Sequence, residues 1–284
     1  MKHASAGLIL FFLLVVAVPA GADAVDDGLP ATVSEQVRTQ TREMIRVGVP
    51  ADEALAMTRR MAQQGYSDAA MRQAQHQVIE ACEEGLPHEP LFNKLQEGLA
   101  KQVPPENVVN AMQTVRERYR YSYRFARQIT ADKTQQKALG QAQAQALAAG
   151  LQTRDMTRIQ DQVRQRIRSQ TCGDCPQLAT ESALAARDMA RLGVASPGVA
   201  EVVDEALENG YDSPRMHRLR HQFQERAQYE DPQGLAHRYA NAFRYGHDPA
   251  AGNAGGSQGN RSGGNGDSDG GGGNGGGNGN GGRP

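Results

Sequence analysis

The chain has 284 residues and a formal net charge of −1, so its overall charge predicts no polyanionic partner. It has no tryptophan and only 5% aromatic residues, which favours helices packed on helices over a sheet. The sequence contains no nucleophile elbow, zinc-protease, phosphate-loop or dinucleotide-binding motif, so it predicts no catalytic residue and no cofactor.

The first residues have the pattern of an export signal. Lys2 and His3 precede an apolar run at residues 8–18, and small residues follow, ending in Ala22-Asp23-Ala24. The run is shorter than the roughly 20 residues that a membrane-spanning helix needs. We therefore expect a cleavable signal peptide at residues 1–24, with a retained N-terminal anchor as the alternative. The mature protein would be periplasmic or secreted and would have no transmembrane segment.

A glycine followed by a bulky apolar residue, and then by Pro, Ser or Asp, recurs along the chain. Four intervals, 48 to 65, 65 to 85, 85 to 102 and 193 to 210, measure 17, 20, 17 and 17 residues. Clear copies begin at Gly48, Gly65, Gly85, Gly193 and Gly210, and degenerate copies begin at Gln102 and Gly150. The interval fits one short helix plus a tight turn, so each copy is predicted to end a helix.

Apolar residues follow each of these turns at the spacing of one helix face. Ser67, Ser196 and Ser213 are predicted N-caps of the helices that follow. The predicted fold is therefore all-α, with short helices joined by Gly-apolar-Pro/Ser turns and stacked as helical hairpins. Either a solenoid-like array or an irregular bundle would satisfy this pattern.

The regular spacing fails between residues 103 and 193, where longer helices are predicted at about residues 106–128 and 132–149. We therefore expect an N-terminal helical repeat block at 25–128 and a C-terminal helical block at 129–247. Residues 248–284 are mostly glycine and asparagine with no large apolar side chain, which predicts a disordered tail acting as a tether.

Residues 85–101 carry a denser pattern of glycine, proline and charged residues. Their sequence matches GLPxEPLxNKxxEGxAK and resembles uncharacterised exported helical-repeat proteins of bacteria. The resemblance extends over about residues 43–118 and implies export and a helical repeat, but no activity. Within this segment Glu89, Asn93 and Glu97 share one helix face. That face is either a ligand-binding face or plain helix support, with Glu97 paired to Lys101.

Cys172 and Cys175 form a C-x-x-C pair. In an exported protein such a pair is a structural disulfide between two helices or the dithiol of a thiol–disulfide catalyst. No second pair supplies further zinc ligands, and no strand is predicted nearby, so the structural disulfide is favoured. Cys82 lies on an apolar stripe and is predicted to be a small buried residue, with pairing to another chain as the alternative.

His217, His221 and Glu225 fall at positions i, i+4 and i+8, a spacing that can present metal ligands on one helix face. They are weak candidates, because they lie away from the apolar stripe and have Arg218 and Arg220 as neighbours. A solvated polar face is favoured, and no metal site is predicted.

The segment 114–170 carries 12 Arg/Lys residues against 4 Asp/Glu residues. Arginine and tyrosine alternate at its start, a pattern that can bind phosphates and stack on rings. Candidate residues for binding an anionic ligand are Arg116, Arg118, Tyr119, Arg120, Tyr123, Arg124 and Arg127. The alternative is a long amphipathic helix whose tyrosines pack inward while its arginines face water.

Three functions remain open from the sequence. The favoured one is an exported, non-enzymatic helical protein that binds or scaffolds an unknown partner in the cell envelope. The alternatives are a thiol–disulfide redox protein using Cys172 and Cys175, or a binder of anionic envelope polymers through segment 114–170. Export makes nucleic acid an unfavoured partner.

Overall fold

A computed structural model describes residues 21–249. That part of the chain consists of α-helices and their connections and contains no β-strand, so the all-α prediction is confirmed. No helix within it is long and apolar enough to cross a bilayer. The apolar run of the predicted signal peptide and the predicted tail from residue 250 onward lie outside the described residues. The helices are α1 (Gly21–Gly28), α2 (Glu35–Arg46), α3 (Ala51–Gln63), α4 (Asp68–Glu83), α5 (Glu89–Ala100), α6 (Pro105–Ile129), α7 (Lys133–Ala148), α8 (Thr153–Arg168), α9 (Cys175–Arg191), α10 (Ser196–Glu208), α11 (Ser213–Arg226) and α12 (Pro232–Arg244).

The recurring glycines end helices, as predicted. Gly48, Gly65, Gly85, Gly150, Gly193 and Gly210 all have a positive φ. The next residue folds back on the finished helix, and the Val49 N–H donates to the Met44 carbonyl at 3.0 Å. The apolar residue of each turn is buried, as Tyr211 is at 2% exposure. Gln102 adopts the same left-handed conformation with φ +52°, so the degenerate copy is also a turn.

Two of the three predicted N-caps are displaced by one residue. Ser67 caps α4 and accepts from the Ala70 N–H at 3.2 Å. By contrast, Ser196 and Ser213 are the first helical residues, and Asp212 caps α11 instead. At α11 the displacement of the N-cap has a local cause. The Asp212 carboxylate accepts from the Arg215 N–H at 2.9 Å and so takes the capping role.

The helices pack in two rows. In the inner row α2, α4 and α6 lie side by side, α7, α9 and α11 do the same, and α6 packs on α7 to join the two sets. In the outer row α10 packs against both α8 and α12, whereas α3 and α5 do not pack closely on each other. The outer row is therefore closed in the second half of the molecule and parted in the first half.

The buried apolar side chains form two clusters within one compact unit. The first cluster runs from Val25 to Tyr123 and includes Ala144, and the second runs from Phe125 to Phe243. Helix α6 contributes to both clusters, so it is shared between the two halves of the molecule.

A buried polar cluster fixes the position of α3. Thr41 on α2 and Thr58 on α3 have their hydroxyls 3.1 Å apart. The Gln75 side-chain amide on α4 donates to both of them, at 2.9 and 3.0 Å. All three side chains are fully buried, where such bonds are costly to leave unmade. The cluster therefore holds one wall of the gap between α3 and α5 in place.

Candidate functional site

The gap between α3 and α5 is a cavity of about 240 Å³. It is lined by Glu53, Ala56, Met57, Arg60, Glu89, Phe92, Asn93, Leu95, Gln96 and Leu99. Four residues of α3 and six of α5 contribute, and four of the six on α5 repeat the α3 spacing of 0, 3, 4 and 7, so two matching helix faces form the walls. We call this cavity the α3/α5 groove.

The two helices run in the same direction. His88, just before α5, places its Nε2 3.1 Å from the Glu53 carboxylate in the first turn of α3. The starts of both helices therefore lie at one end of the groove, and Arg60 lies two turns further along α3.

The floor of the groove is apolar and rigid. Met57, Phe92 and Leu95 are 4%, 7% and 2% exposed and belong to the first cluster. The Phe92 ring also meets the His88 ring edge-on, with the ring centroids 5.2 Å apart. An apolar part of a ligand would therefore contact side chains that are already held in place by the core.

The two ends of the groove differ in charge. Glu53 and Glu89 lie at the end where both helices begin, whereas Arg60 lies toward the other end. Arg60 and Glu89 are exposed, and neither has an ion-pair partner among the described residues. The site thus offers two carboxylates at one end, a guanidinium at the other, and an apolar floor between them.

The segment at residues 85–101 has both a structural and a groove-lining part. Glu97 pairs with Lys101 at 2.7 Å and with Lys94, and these lysines hold the pKa of Glu97 down at about 2. Gly98 lies against Val108 of α6, where a Cβ would come within 2.5 Å of a Val108 methyl. Glu89 and Asn93, by contrast, line the groove. Helix support is therefore shown at Glu97, whereas ligand binding at Glu89 and Asn93 stays a prediction.

The Arg/Tyr segment lies mostly inside the molecule. Tyr119 and Tyr123 are 9% and 6% exposed, and burial raises the pKa of Tyr123 to about 12. Their rings pack in the first cluster and are almost wholly covered, so they offer little surface for stacking on a ligand.

Three arginines of that segment bind other parts of the chain. Arg116 is buried and pairs with Glu80, and desolvation lowers its pKa. Arg120 donates to Glu84 at 2.7 Å, and Arg127 donates to the Glu84 carbonyl at 2.6 Å. These contacts attach α6 to the end of α4.

Arg118 and Arg124 have no ion-pair partner among the described residues; Arg124 is exposed and Arg118 partly so. They are two separate cations rather than a cluster, because Arg120, the arginine between them, pairs with Glu84 at the end of α4. The structure thus brings few of the seven candidate residues together at the surface.

Cys172 and Cys175 form a disulfide, with their Cα atoms 5.2 Å apart. Cys175 is the first residue of α9, and Asp174 caps that helix by accepting from the Gln177 N–H at 3.1 Å. The bond closes the turn between α8 and α9. Cys82 is a free thiol, partly buried against the first cluster, and burial raises its pKa.

His217 and His221 lie side by side on the exposed face of α11. Their Nε2 atoms are 3.1 Å apart and their ring centroids 4.3 Å apart. Glu225 is exposed one turn further on, and it does not join them in a group of three metal ligands anywhere in residues 21–249.

Sequence reasoning missed the α3 wall of the groove. Glu53, Met57 and Arg60 have the ordinary pattern of an amphipathic helix, in which charged residues flank an apolar stripe. Nothing in that pattern distinguishes a groove wall from a solvated edge. The α5 wall had a signal, since Glu89 and Asn93 stood on a shared face.

Comparison with known protein families, with characterised proteins and with solved structures finds no match. The function of the protein is therefore inferred from the geometry of the chain itself.

Proposed function

We propose that this is an exported, non-enzymatic helical protein that binds a short, elongated ligand in the α3/α5 groove. The observation that carries the proposal is the rigid apolar floor between ends of opposite charge. A binding site commonly combines an apolar surface with a few polar groups that set orientation. We infer a ligand with a positive end near Glu53 and Glu89, a negative end near Arg60, and an apolar middle.

The length of the groove narrows the ligand class. Glu53 and Arg60 are seven residues apart on α3, which places them about 10 Å apart along the helix axis. An extended peptide advances about 3.3 Å per residue, so about three residues would span that distance. A tripeptide with free termini and a central apolar side chain fits the charges, the length and the floor.

Among the larger depressions in this part of the chain, the one beside Leu86 and Tyr123 fits such a ligand less well. It measures about 530 Å³ and is lined mainly by charged and polar residues, with Leu86, Pro87 and Tyr123 as its apolar members. Polar atoms make up most of its surface, whereas apolar atoms make up most of the surface of the α3/α5 groove.

The N-terminal pattern and the disulfide support export. Arg38 holds the segment after the predicted cleavage site, donating to the carbonyls of Leu29 at 3.2 Å and Pro30 at 2.7 Å. It also donates to the carbonyls of Val25 and Asp26, all of which would remain after cleavage. A chain beginning at Val25 would therefore keep its docked N-terminal segment. The resemblance of residues 85–101 to exported bacterial proteins points the same way.

Calorimetry with Ala-Leu-Ala tests the groove directly. We expect the free tripeptide to bind and its N-acetylated, C-amidated form to bind at least about tenfold more weakly, because both charged ends are lost. Ala56→Trp fills the groove and should abolish binding. Ala69→Trp on exposed α4 surface is the matched control and should bind as the wild type does.

Two results would reject the proposed groove. One is equal binding of the free and blocked peptides, and the other is undiminished binding by the Ala56→Trp variant. Failure of the wild-type protein to bind the free tripeptide would reject the peptide as the ligand class.

A further inference from the structure

A second site lies on α11, at the far side of the fold from the α3/α5 groove along the inner row. His217 and His221 are both exposed, and their Nε2 atoms converge to 3.1 Å, a hydrogen-bond distance. This convergence is independent of the groove and of any ligand bound there.

The distance between the two nitrogens suits a metal ion. Zinc binds imidazole nitrogen at about 2.0–2.1 Å, so two nitrogens at tetrahedral positions lie about 3.3–3.4 Å apart. Two adjacent nitrogens of a square plane lie about 2.9 Å apart at the same bond length. The observed 3.1 Å falls between these values, so side-chain adjustments of a few tenths of an ångström would place both rings on one ion.

The surrounding charges permit a cation. Arg220 faces the interior, where its guanidinium lies 3.3 Å from both Glu181 and Asp188 of α9. Arg218 is the nearest exposed cation in the sequence, one residue from His217, and successive residues point about 100° apart around a helix. Glu225 adds a negative charge one turn beyond His221.

We propose that His217 and His221 chelate one divalent transition-metal ion through their Nε2 atoms. Imidazole selects ions such as Zn²⁺, Ni²⁺ and Cu²⁺ over Mg²⁺ and Ca²⁺, which prefer oxygen ligands. Two protein ligands leave the remaining coordination positions open to water or to a group from a partner. A pair spaced by four residues on one helix is formed only when α11 is folded, so the metal binds the native state preferentially.

Zinc calorimetry on the full, untagged chain tests the site. We expect His217→Gln and His221→Gln each to weaken Zn²⁺ binding at least about tenfold, because the second ligand of a chelate acts at a high effective concentration. The matched control is His237→Gln on α12, which removes an exposed imidazole that has no histidine neighbour one turn away. It should bind Zn²⁺ as the wild type does, and Mg²⁺ should not compete.

Thermal unfolding supplies a second readout. Zn²⁺ should raise the melting temperature of the wild type and of His237→Gln but not of His221→Gln. Both histidines are exposed, so the variants should keep the helical circular dichroism spectrum. Absence of Zn²⁺ binding to the wild type would overturn the proposal. So would equal Zn²⁺ affinity in the His217→Gln/His221→Gln double variant.

Discussion

At Gly140 the backbone of α7 lies directly against the Tyr123 ring of α6. A Cβ at this position would come within 2.4 Å of a Tyr123 ring carbon, and the ring is buried. A buried aromatic ring cannot move aside without shifting its neighbours. Glycine here is therefore required by the close approach of two helices rather than by a turn.

We expect Gly140→Ala to destabilise the protein by about 1–3 kcal/mol, because the methyl group overpacks the α6–α7 contact. Alanine is otherwise the better helix former, so a gain in stability would mean that the helices can separate at no cost. Gly173→Ala is the control, since no atom lies within 4 Å of its added Cβ. The measurement is the free energy of unfolding in urea.

Asp204 is a buried carboxylate between α8 and α10. It is 1% exposed and pairs with Arg158. Burial is the main cause that raises its pKa to about 7, in spite of Arg158, which acts in the opposite direction. Because the pKa is higher in the folded protein than in the unfolded chain, folding favours the protonated form.

The sign of the pH effect follows from that difference. The contribution of Asp204 to stability is fully present below the ordinary aspartate pKa and is lost as pH rises to about 7. We expect Asp204→Asn to be more stable than the wild type at pH 8, by about 1–3 kcal/mol, with little difference at pH 4. Urea unfolding at several pH values checks this. If the free energies of unfolding of the two proteins differed by the same amount at every pH, burial would not disfavour the ionised Asp204 carboxylate.

At the scale of the element, a residue in the left-handed backbone conformation ends a helix and sets the direction of the chain that follows. Gln102 and Gln170 adopt this conformation with a side chain, whereas the other left-handed positions of the described residues are glycines. A left-handed conformation costs a residue with a Cβ about 1–2 kcal/mol. The turns at residues 102 and 170 are therefore held by the rest of the fold against a local preference.

We expect Gln102→Gly to stabilise the protein by about 0.5–1 kcal/mol, because glycine removes the strain but adds freedom to the unfolded chain. Gly210→Ala should destabilise it by about 1 kcal/mol, since its φ is +75° and no neighbour lies within 4 Å. Urea midpoints of the two variants should shift in opposite directions. A loss of stability in Gln102→Gly would mean that a contact of the glutamine side chain stabilises the protein by more than the left-handed conformation costs.

At the scale of the whole molecule, α6 joins two cores, and α7 also contributes residues to both. Tyr123 and Phe125 are two residues apart on α6, yet Tyr123 belongs to the first cluster and Phe125 to the second. Loss of packing in either cluster would free one face of the same helix. The two halves are thereby expected to unfold together.

A cavity made in the second cluster should therefore weaken the first. We expect Leu139→Ala, at a fully buried position, to lower stability by about 2–5 kcal/mol. Cys82 reports on the first cluster, so its reactivity toward a thiol reagent should rise in urea together with the loss of helical signal. Unchanged Cys82 protection while the helical signal falls would show that the halves unfold separately.

The sequence predicted the helix ends well because they depend on local chemistry. A glycine at φ +72° such as Gly65, or an N-cap such as Ser67, is decided by residues within one turn of it. The longer central helices were predicted to within a few residues, since their apolar periodicity is continuous. The one-residue shift at Ser213 shows the limit, because Asp212 competes for the same role.

The surface of α6 shows what the sequence could not decide. Its arginines and tyrosines have the composition of an anion-binding stripe, yet α4 packs on that face and supplies Glu80 and Glu84 as partners. Residues that lie 36 positions apart in the chain make these ion pairs. A local pattern contains no information about which distant helix will cover it.

The sequence by itself determined the all-α class, the turns and the apolar face of each helix, because these follow from backbone conformation and from periodicity. The tertiary structure alone decided that α3 and α5 stay apart while α8, α10 and α12 close together, and so where the α3/α5 groove lies. It also brought His88 to Glu53, 35 residues away. Such placements depend on the summed packing of many helices, and no single segment of sequence encodes that sum.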